Sequence, residues 1–115
     1  MTNPTLWHNP RCSKSRETLA LLKANGVTPD IRLYLTDVPS EQEIRAALKT
    51  LGIPAIELLR RKEKRFKELG LNADSDADSL ITAMAENPVL IERPILFKGN
   101  QAAIGRPPEN TLTIL

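Results

Sequence analysis

The chain has 115 residues, of which 41% are apolar and 26% charged, a composition typical of a globular protein with one hydrophobic core. Its 16 basic and 14 acidic residues give a net charge of +2, which is too balanced to indicate a nucleic-acid or membrane partner. The segment Met1–Pro4 has neither the charged start nor the apolar run of a secretion signal, and no apolar run approaches the ~20 residues that span a bilayer, so we expect a cytoplasmic protein.

The first predicted elements are a short strand at Thr5–His8 and a helix at Ser13–Asn25, which Gly26 ends. Between them lies a polar loop that contains Cys12, the only cysteine of the chain. A free cysteine is often buried and unreactive, but the proline, asparagine, serines and cations around this one are typical of an exposed loop or helix start. A thiolate there would face the N–H groups and partial positive charge of a helix N-terminus, so the sequence predicts a reactive thiol and a site that can hold an oxyanion.

The middle of the chain predicts one strand and then a block of helices. The strand is Asp30–Leu35, whose three aliphatic residues alternate with Arg32 and Tyr34, and it should pair in parallel with the first strand. The helical block comprises a capping-box helix from Ser40 to Gly52, a helical stretch from Pro54 to Leu69, and an amphipathic helix that contains Ala77, Leu80, Ile81 and Met84.

The last third returns to strands. Gly99 and Asn100 lie between two apolar runs, Ile95–Phe97 and Ala102–Ile104, and this pattern predicts an antiparallel hairpin. A short helix from Pro107 to Leu115 should close the chain. The order β-α-β, helices, β-β-α predicts an α/β protein with a thioredoxin-like fold, in which a mixed four-stranded sheet is interrupted by a helical insertion at roughly 39–88. We expect residues 1–115 to form a single domain because no linker or repeat divides them.

Four motifs carry a likeness to a known family. They are His8-Asn9-Pro10-x-Cys12-x-x-Ser15-Arg16, the end of Leu58–Gly70 at Lys67-Glu68-Leu69-Gly70, Asn87-Pro88 with Glu92-Arg93-Pro94, and Gly105-Arg106-Pro107. Together they resemble the glutaredoxin-dependent arsenate reductase family over nearly the whole chain, and most of all its short YfgD-type subgroup. The arsenate-reducing members continue into a C-terminal extension where this sequence stops, near Leu115. The family fold is thioredoxin-like with a helical insertion.

The resemblance implies roles for individual residues. Cys12 matches the nucleophile that attacks arsenate, and Pro94 matches a cis-proline beside it. The other matched positions are Arg60, Arg93 and Arg106, which hold the oxyanion, and His8 and Ser15, which stabilise the thiolate. Arginine suits such a site because its planar, permanently charged group donates paired hydrogen bonds to two oxygens of one anion.

Without the resemblance these positions have simpler interpretations. Arg60 begins the run Arg60–Arg65, which is typical of a solvated helix face, and a lone histidine such as His8 is most often a hydrogen-bonded structural residue. Arg106 is more informative, because a cation beside a helix start is unfavourable unless an anion sits between them. We expect three further cations to be surface residues: Arg11, Lys14 and Lys98.

Because the chain has a single cysteine, the proposed chemistry would need a reductant from outside the chain. An internal disulfide is impossible, so a second molecule must supply the reducing thiol. The resemblance implies glutathione as co-substrate and glutaredoxin as the partner that resolves a mixed disulfide at Cys12, with no bound cofactor. We predict no metal site, because one cysteine and one histidine cannot supply three or four zinc ligands. We expect a monomer.

Three alternatives remain open at this point. Cys12-x-x-Ser15 is also the pattern of a monothiol glutaredoxin, so the protein could be a glutathione-dependent oxidoreductase whose anion pocket binds a glutathione carboxylate. A second class is the regulator branch of the same superfamily, which binds RNA polymerase and senses oxidants through a Cys-x-x-Cys pair, although Ser15 argues against that switch. A third is a member that keeps the oxyanion pocket without turnover.

Overall fold

Residues 3–115, the part of the chain that this computed structural model describes, alternate strands and helices in an α/β order. Met1 and Thr2, the first residues of the segment that lacks the features of a secretion signal, lie outside the described residues. The elements are β1 Thr5–Trp7, α1 Ser13–Ala24, β2 Asp30–Arg32, α2 Glu41–Leu51, α3 Ala55–Leu58, α4 Lys64–Glu68, α5 Ala77–Glu86, a 3-10 turn Pro88–Leu90, β3 Ile95–Lys98, β4 Gln101–Ile104 and a 3-10 helix Pro108–Ile114.

The described chain divides into two compact units. The first comprises the residues up to Asp37 together with Arg93–Leu115, and the second is Val38–Glu92. All four strands belong to the first unit and α2 to α5 belong to the second. The assignment of residues 1–115 to a single domain stays a prediction.

The four strands form one mixed sheet in the order β2-β1-β3-β4. β1 runs parallel to β2 and antiparallel to β3, and β3 runs antiparallel to β4. Lys98 pairs with Gln101, so the hairpin turn consists of Gly99 and Asn100, and Gly99 has a φ of +60° that favours glycine. The predicted mixed four-stranded sheet of a thioredoxin-like fold is confirmed.

The core of this unit holds the segment around Cys12 in place. Leu6 on β1, Leu22 on α1 and Leu96 on β3 are fully buried and form one cluster. The partly buried residues packed against it are Leu19, Val27, Leu112 and Ile114. Both elements that flank the Cys12 loop are therefore anchored by buried leucines.

The closing helix, predicted from Pro107 to Leu115, is a 3-10 helix that starts at Pro108.

The second strand is shorter than predicted. Its ladder ends at Arg32, and the carbonyl of Leu33 then accepts bonds from the N–H groups of Thr36 and Asp37, so the chain turns instead of extending to Leu35. Tyr34 is only 1% exposed. The three aliphatic residues of the segment are exposed, at 44% for Ile31, 43% for Leu33 and 37% for Leu35. The alternation is real, but the aliphatic side is the one turned towards solvent.

The helical unit confirms two of its three predicted helices. Ser40 caps α2, since its hydroxyl accepts from the Glu43 N–H while the Glu43 carboxylate accepts from the Ser40 N–H, both at 3.1 Å. Gly52 ends this helix with a φ of +70°. α2 packs against α5, and Arg45 pairs with Asp78 at 2.8 Å between them.

Among residues 3–115, every helix is too short or too polar to span a membrane.

The helical stretch predicted for Pro54–Leu69 is wrong in its middle. It consists of the short helices α3 and α4, and the buried Leu59 between them forms an isolated β-bridge with Ile91. The N–H of Arg60 donates to the Leu90 carbonyl at 2.8 Å, which continues this extended pairing. A partner distant in sequence thus satisfies backbone groups that helical periodicity had assigned to i→i+4 bonds.

Candidate active site

Cys12 lies at the end of a tight loop and is the N-cap of α1. Its N–H donates to the Asn9 carbonyl at 3.0 Å, and its own carbonyl accepts from the Arg16 N–H at 3.0 Å. The side chain of Asn9 accepts from the Arg11 N–H, and the Arg16 guanidinium donates to the Pro10 carbonyl, both at 3.0 Å. The loop is therefore fixed by its own hydrogen bonds, and it holds a partly exposed cysteine at a helix N-terminus.

The surroundings of Cys12 favour the thiolate. Partial burial by itself would raise the pKa of the thiol. The backbone N–H of Ser15 and the positive charge of Arg93 lower it, and so do the Lys14 N–H and the charge of Arg106. The lowering causes prevail, so the pKa of Cys12 lies below its ordinary value. This is the direction predicted from a cysteine at a helix start among cations.

Arg106 is held directly against the sulfur. Its Nη2 lies 3.7 Å from Cys12 Sγ, and its Nε donates to the Arg93 carbonyl at 2.8 Å. The backbone of one arginine thus orients the guanidinium of the other, and both charges act on the same thiol. The Arg93–Pro94 bond is cis, as the resemblance implies, and Arg106–Pro107 is a second cis bond that sequence analysis did not predict.

Gly105 allows this arrangement because no side chain fits at its position. A Cβ there would lie 2.6 Å from Thr18 Oγ1 and 2.8 Å from Pro94 Cγ. Its N–H also donates to the Pro94 carbonyl at 2.9 Å. α1, the Arg93-Pro94 segment and the Arg106 segment therefore meet at one glycine. Gly105 belongs to one of the sequence motifs, but its role cannot be predicted from the sequence, because close packing between distant segments leaves no local signal.

We expect Gly105→Ala to cost about 1–3 kcal/mol of unfolding free energy and to move Arg106 away from Cys12, because the new methyl group overlaps Thr18 and Pro94. The pKa of Cys12 should rise in consequence. Denaturant unfolding and the pH dependence of Cys12 alkylation measure the two effects. Adding Thr18→Ala in the same chain removes one of the overlaps and should restore part of both; no restoration would mean that the strain lies elsewhere.

His8 and Ser15 form a buried pair behind the loop. His8 Nδ1 lies 2.7 Å from Ser15 Oγ, which also accepts from the Asn9 N–H at 3.0 Å. Burial lowers the pKa of His8, and the charges of Arg16 and Lys23 lower it further, which favours the neutral ring. A neutral ring whose Nδ1 accepts a hydrogen bond from the Ser15 hydroxyl satisfies that nitrogen and the hydroxyl. The side-chain contacts of this pair hold the loop in place. Of the two residues, Ser15 lowers the pKa of Cys12, and it does so through its backbone N–H. The predicted thiolate-stabilising role of His8 stays a prediction.

Arg60 belongs to the helical unit. Its Nη2 pairs with Glu63 Oε2 at 3.3 Å, and its Nη1 donates to the Val89 carbonyl at 3.3 Å. These contacts hold the guanidinium at the bridge between the Leu59 and Ile91 segments. Its predicted role in oxyanion binding stays a prediction.

Within residues 3–115, no group of three or more histidine, cysteine, aspartate and glutamate side chains is arranged to hold a metal ion.

The shifted thiol pKa can be tested directly. We expect the iodoacetamide alkylation rate of Cys12 to reach half its maximum at a lower pH than that of free cysteine, because the rate follows the thiolate fraction. Mass spectrometry of the intact protein measures the rate, and the unfolded protein is the matched control. An identical midpoint in the folded and unfolded protein would contradict the electrostatic account.

Comparison with known proteins places this chain in a family. A model of the ArsC family matches residues 7–114. The chain is 53% identical over 113 residues to the uncharacterized protein YfgD of Escherichia coli (strain K12), covering 96% of this chain and 94% of that protein. It is 47% identical over 112 residues to an arsenate reductase of Haemophilus influenzae, covering 96% and 97%. An arsenate reductase structure from Vibrio cholerae matches with a TM-score of 0.95 at 46% identity, covering 98% of each chain. The protein therefore belongs to the ArsC family, whose model covers the Cys12 loop, both arginine-proline segments and most of the thioredoxin-like sheet.

Proposed function

We propose that the protein reduces arsenate to arsenite, with Cys12 as nucleophile and with glutathione and glutaredoxin as reductants. The observation that carries this proposal is the contact of 3.7 Å between Arg106 Nη2 and Cys12 Sγ, in a site where the charge of Arg93 also lowers the thiol pKa. An activated thiol beside two guanidinium groups suits a reaction between a sulfur nucleophile and a tetrahedral anion. Relatives named arsenate reductase support arsenate as that anion.

In the first step the arginines bind arsenate over the sulfur. The Cys12 thiolate attacks arsenic, an S–As bond forms, and one oxygen leaves as water after protonation. Arg106 and Arg93 have two tasks here, since they hold the anion and keep the attacking sulfur deprotonated. In this proposal Arg60 supplies the third guanidinium that the resemblance implies.

The second step needs a thiol from outside the chain, because Cys12 is its only cysteine. A glutathione thiolate attacks Cys12 Sγ, the S–S bond forms, and the S–As bond breaks with its electron pair passing to arsenic. Arsenic(V) becomes arsenic(III) and leaves as arsenite, while Cys12 carries glutathione as a mixed disulfide. Glutaredoxin then takes over the glutathionyl group and returns Cys12 to the thiolate.

The test is arsenite release by the purified protein supplied with arsenate, glutathione, glutaredoxin and a system that regenerates reduced glutathione. Each reductant is omitted in turn. We expect turnover only in the complete mixture, and a single equivalent of arsenite per protein when glutaredoxin alone is missing. Turnover that continues without glutathione would overturn the proposed reductant, and no arsenite in any mixture would overturn the proposed substrate.

The same observations support a second candidate, a monothiol glutathione-dependent oxidoreductase. A low thiol pKa at a helix N-terminus followed by Ser15 in place of a second cysteine suits glutathionylation and thiol-disulfide exchange. The Arg93 and Arg106 pair would then bind a carboxylate of glutathione. Glutathionylation at Cys12 with exchange activity, but without arsenite formation, would favour this candidate.

A further inference from the structure

An apolar patch lies beside the Cys12 loop, and the proposed chemistry does not use it. It consists of Ile31, Leu33 and Leu35, which are each more than one-third exposed. A cavity of about 290 Å³ opens at this patch, and its lining residues are His8, Asn9, Pro10, Arg11, Leu33, Leu35 and Thr36. The cavity is therefore lined both by the loop that leads to Cys12 and by the turn that follows β2.

The exposure of the patch follows from the fold and is not relieved within the described unit. β2 is an edge strand of the sheet, and the turn bonds to the Leu33 carbonyl keep the aliphatic side of this segment outward while Tyr34 is buried. Exposed aliphatic side chains at the end of an edge strand and in the turn that follows it favour contact with another protein. The cavity lies at the lower limit of pockets that enclose small molecules, which measure about 300–1,000 Å³, so its size suits inserted protein side chains.

The position of the patch indicates what kind of protein would dock there. Cys12 donates its N–H to Asn9, a lining residue of the cavity, so a protein seated on the patch contacts the loop that holds the nucleophile. The chain has one cysteine, so a second protein must bring a thiol to this loop if the mixed disulfide is to be resolved. The exposed Arg11 lines the cavity, and the exposed Arg16 donates to the carbonyl of Pro10, another lining residue, so the positive charge at this edge favours an acidic partner surface.

We propose that the apolar patch is the docking surface for the protein thiol reductant, whose complementary surface is apolar around its own cysteine and acidic at the edge. This inference rests on the proposed function, in which glutaredoxin is that reductant. In the docked complex the reductant thiolate attacks the glutathione sulfur of the mixed disulfide. A new S–S bond joins reductant and glutathione, the bond to Cys12 Sγ breaks, and Cys12 keeps the electron pair as thiolate.

The test starts from the protein glutathionylated at Cys12 with oxidised glutathione, so it does not depend on arsenate. Glutaredoxin is added at increasing concentration, and release of the unmodified protein is followed by mass spectrometry. The test variant is Leu33→Gln with Leu35→Gln, which removes the apolar surface without adding charge near the thiol. We expect kcat/KM for glutaredoxin to fall about tenfold or more, mainly through KM.

Two measurements separate docking from other effects. The Leu115→Gln variant replaces a leucine that is 41% exposed at a different cavity, and it should react like the parent. Cys12 alkylation and its reaction with free oxidised glutathione should be unchanged in both variants, since neither needs a docked protein. If the patch variant folds poorly, Arg11→Glu is the second test, and it should raise the KM for glutaredoxin by reversing the charge at the edge.

Several outcomes would overturn the proposal. An unchanged KM in the patch variant would mean that glutaredoxin docks elsewhere. A fall in reaction with glutathione alone would assign the patch to glutathione, and dissociation of a dimer by the same substitutions would assign it to a second copy of this chain. The parent protein could form no arsenite while the patch variant still reacts more slowly with glutaredoxin than the parent does. This combination would overturn arsenate reduction and would still support the docking surface.

Discussion

Cys12→Ser should reduce arsenite formation by more than about a thousandfold, because a serine hydroxyl is not ionised at neutral pH and cannot form the S–S bond that transfers electrons to arsenic. The fold should survive. Cys12 is the N-cap of α1 and its side chain makes no capping hydrogen bond, whereas serine is a favoured capping residue. We therefore expect unfolding free energy that is equal to the parent's or up to about 1 kcal/mol higher.

The measurement pairs arsenite release with denaturant unfolding of the same preparations. Ser13→Ala is a matched control, since it changes a neighbouring hydroxyl on α1 without removing the thiol, and it should retain turnover. Lost activity together with unchanged or increased stability would assign the loss to chemistry. Full activity in Cys12→Ser would contradict the whole mechanism, because no other cysteine exists in the chain.

Arg106→Gln should raise the KM for arsenate about 10–100-fold, the effect of losing charge-assisted hydrogen bonds to an anion. It should also raise the pKa of Cys12, since the charge of Arg106 lowers that pKa in the parent. The thiolate fraction at neutral pH then falls, so the rate should recover in part as the pH increases towards the new pKa. Both changes come from removing one guanidinium that lies 3.7 Å from the sulfur.

Arg106→Lys separates these two roles. It keeps a positive charge near the sulfur and loses the planar fork, so the thiol pKa should stay closer to the parent value while the KM for arsenate rises. Lys98→Gln removes one charge from the end of β3 and serves as the control for net charge. Arsenate KM and the pH profile of alkylation, measured for all three variants, test the assignment. Equal effects of Arg106→Gln and Lys98→Gln would reduce the role of Arg106 to bulk charge.

The sequence predicts elements well where local signals agree. The capping box at Ser40 and the glycine at position 52 predict α2, and the alternation around Gly99 and Asn100 predicts the β3–β4 hairpin. In both cases the residues that specify the element also make its stabilising contacts. The mixed sheet follows from the order of such elements, so the fold class could be predicted from one sequence.

The errors occur where a distant segment decides the conformation. Leu59 pairs with Ile91, and this contact interrupts a region whose periodicity favours one helix. The alternation after Asp30 reads as a strand, but the turn at Leu33 ends it. The second cis bond, at Arg106–Pro107, and the packing at Gly105 have no local signal at all.

The site could be predicted in part for the same reason. The position of Cys12 at a helix start among cations indicates an activated thiol, and the pKa shift has the predicted direction. The sequence does not reveal that His8 is buried against Ser15, because burial depends on the complete fold. The place of Arg106 beside a predicted helix start indicates an anion site, but the sequence does not reveal that this guanidinium lies 3.7 Å from Cys12 Sγ, because the contact joins distant segments.

The groups that lower the thiol pKa have a consequence for the end of the proposed catalytic cycle. A thiolate that is stabilised by the helix N–H groups and by Arg93 and Arg106 is a better leaving group when a mixed disulfide is attacked. The same stabilisation makes the disulfide form less favourable relative to the reduced form, which raises its reduction potential. In the proposed cycle the Cys12 environment would therefore favour both the first attack on the anion and the release of Cys12 as thiolate by the reductant.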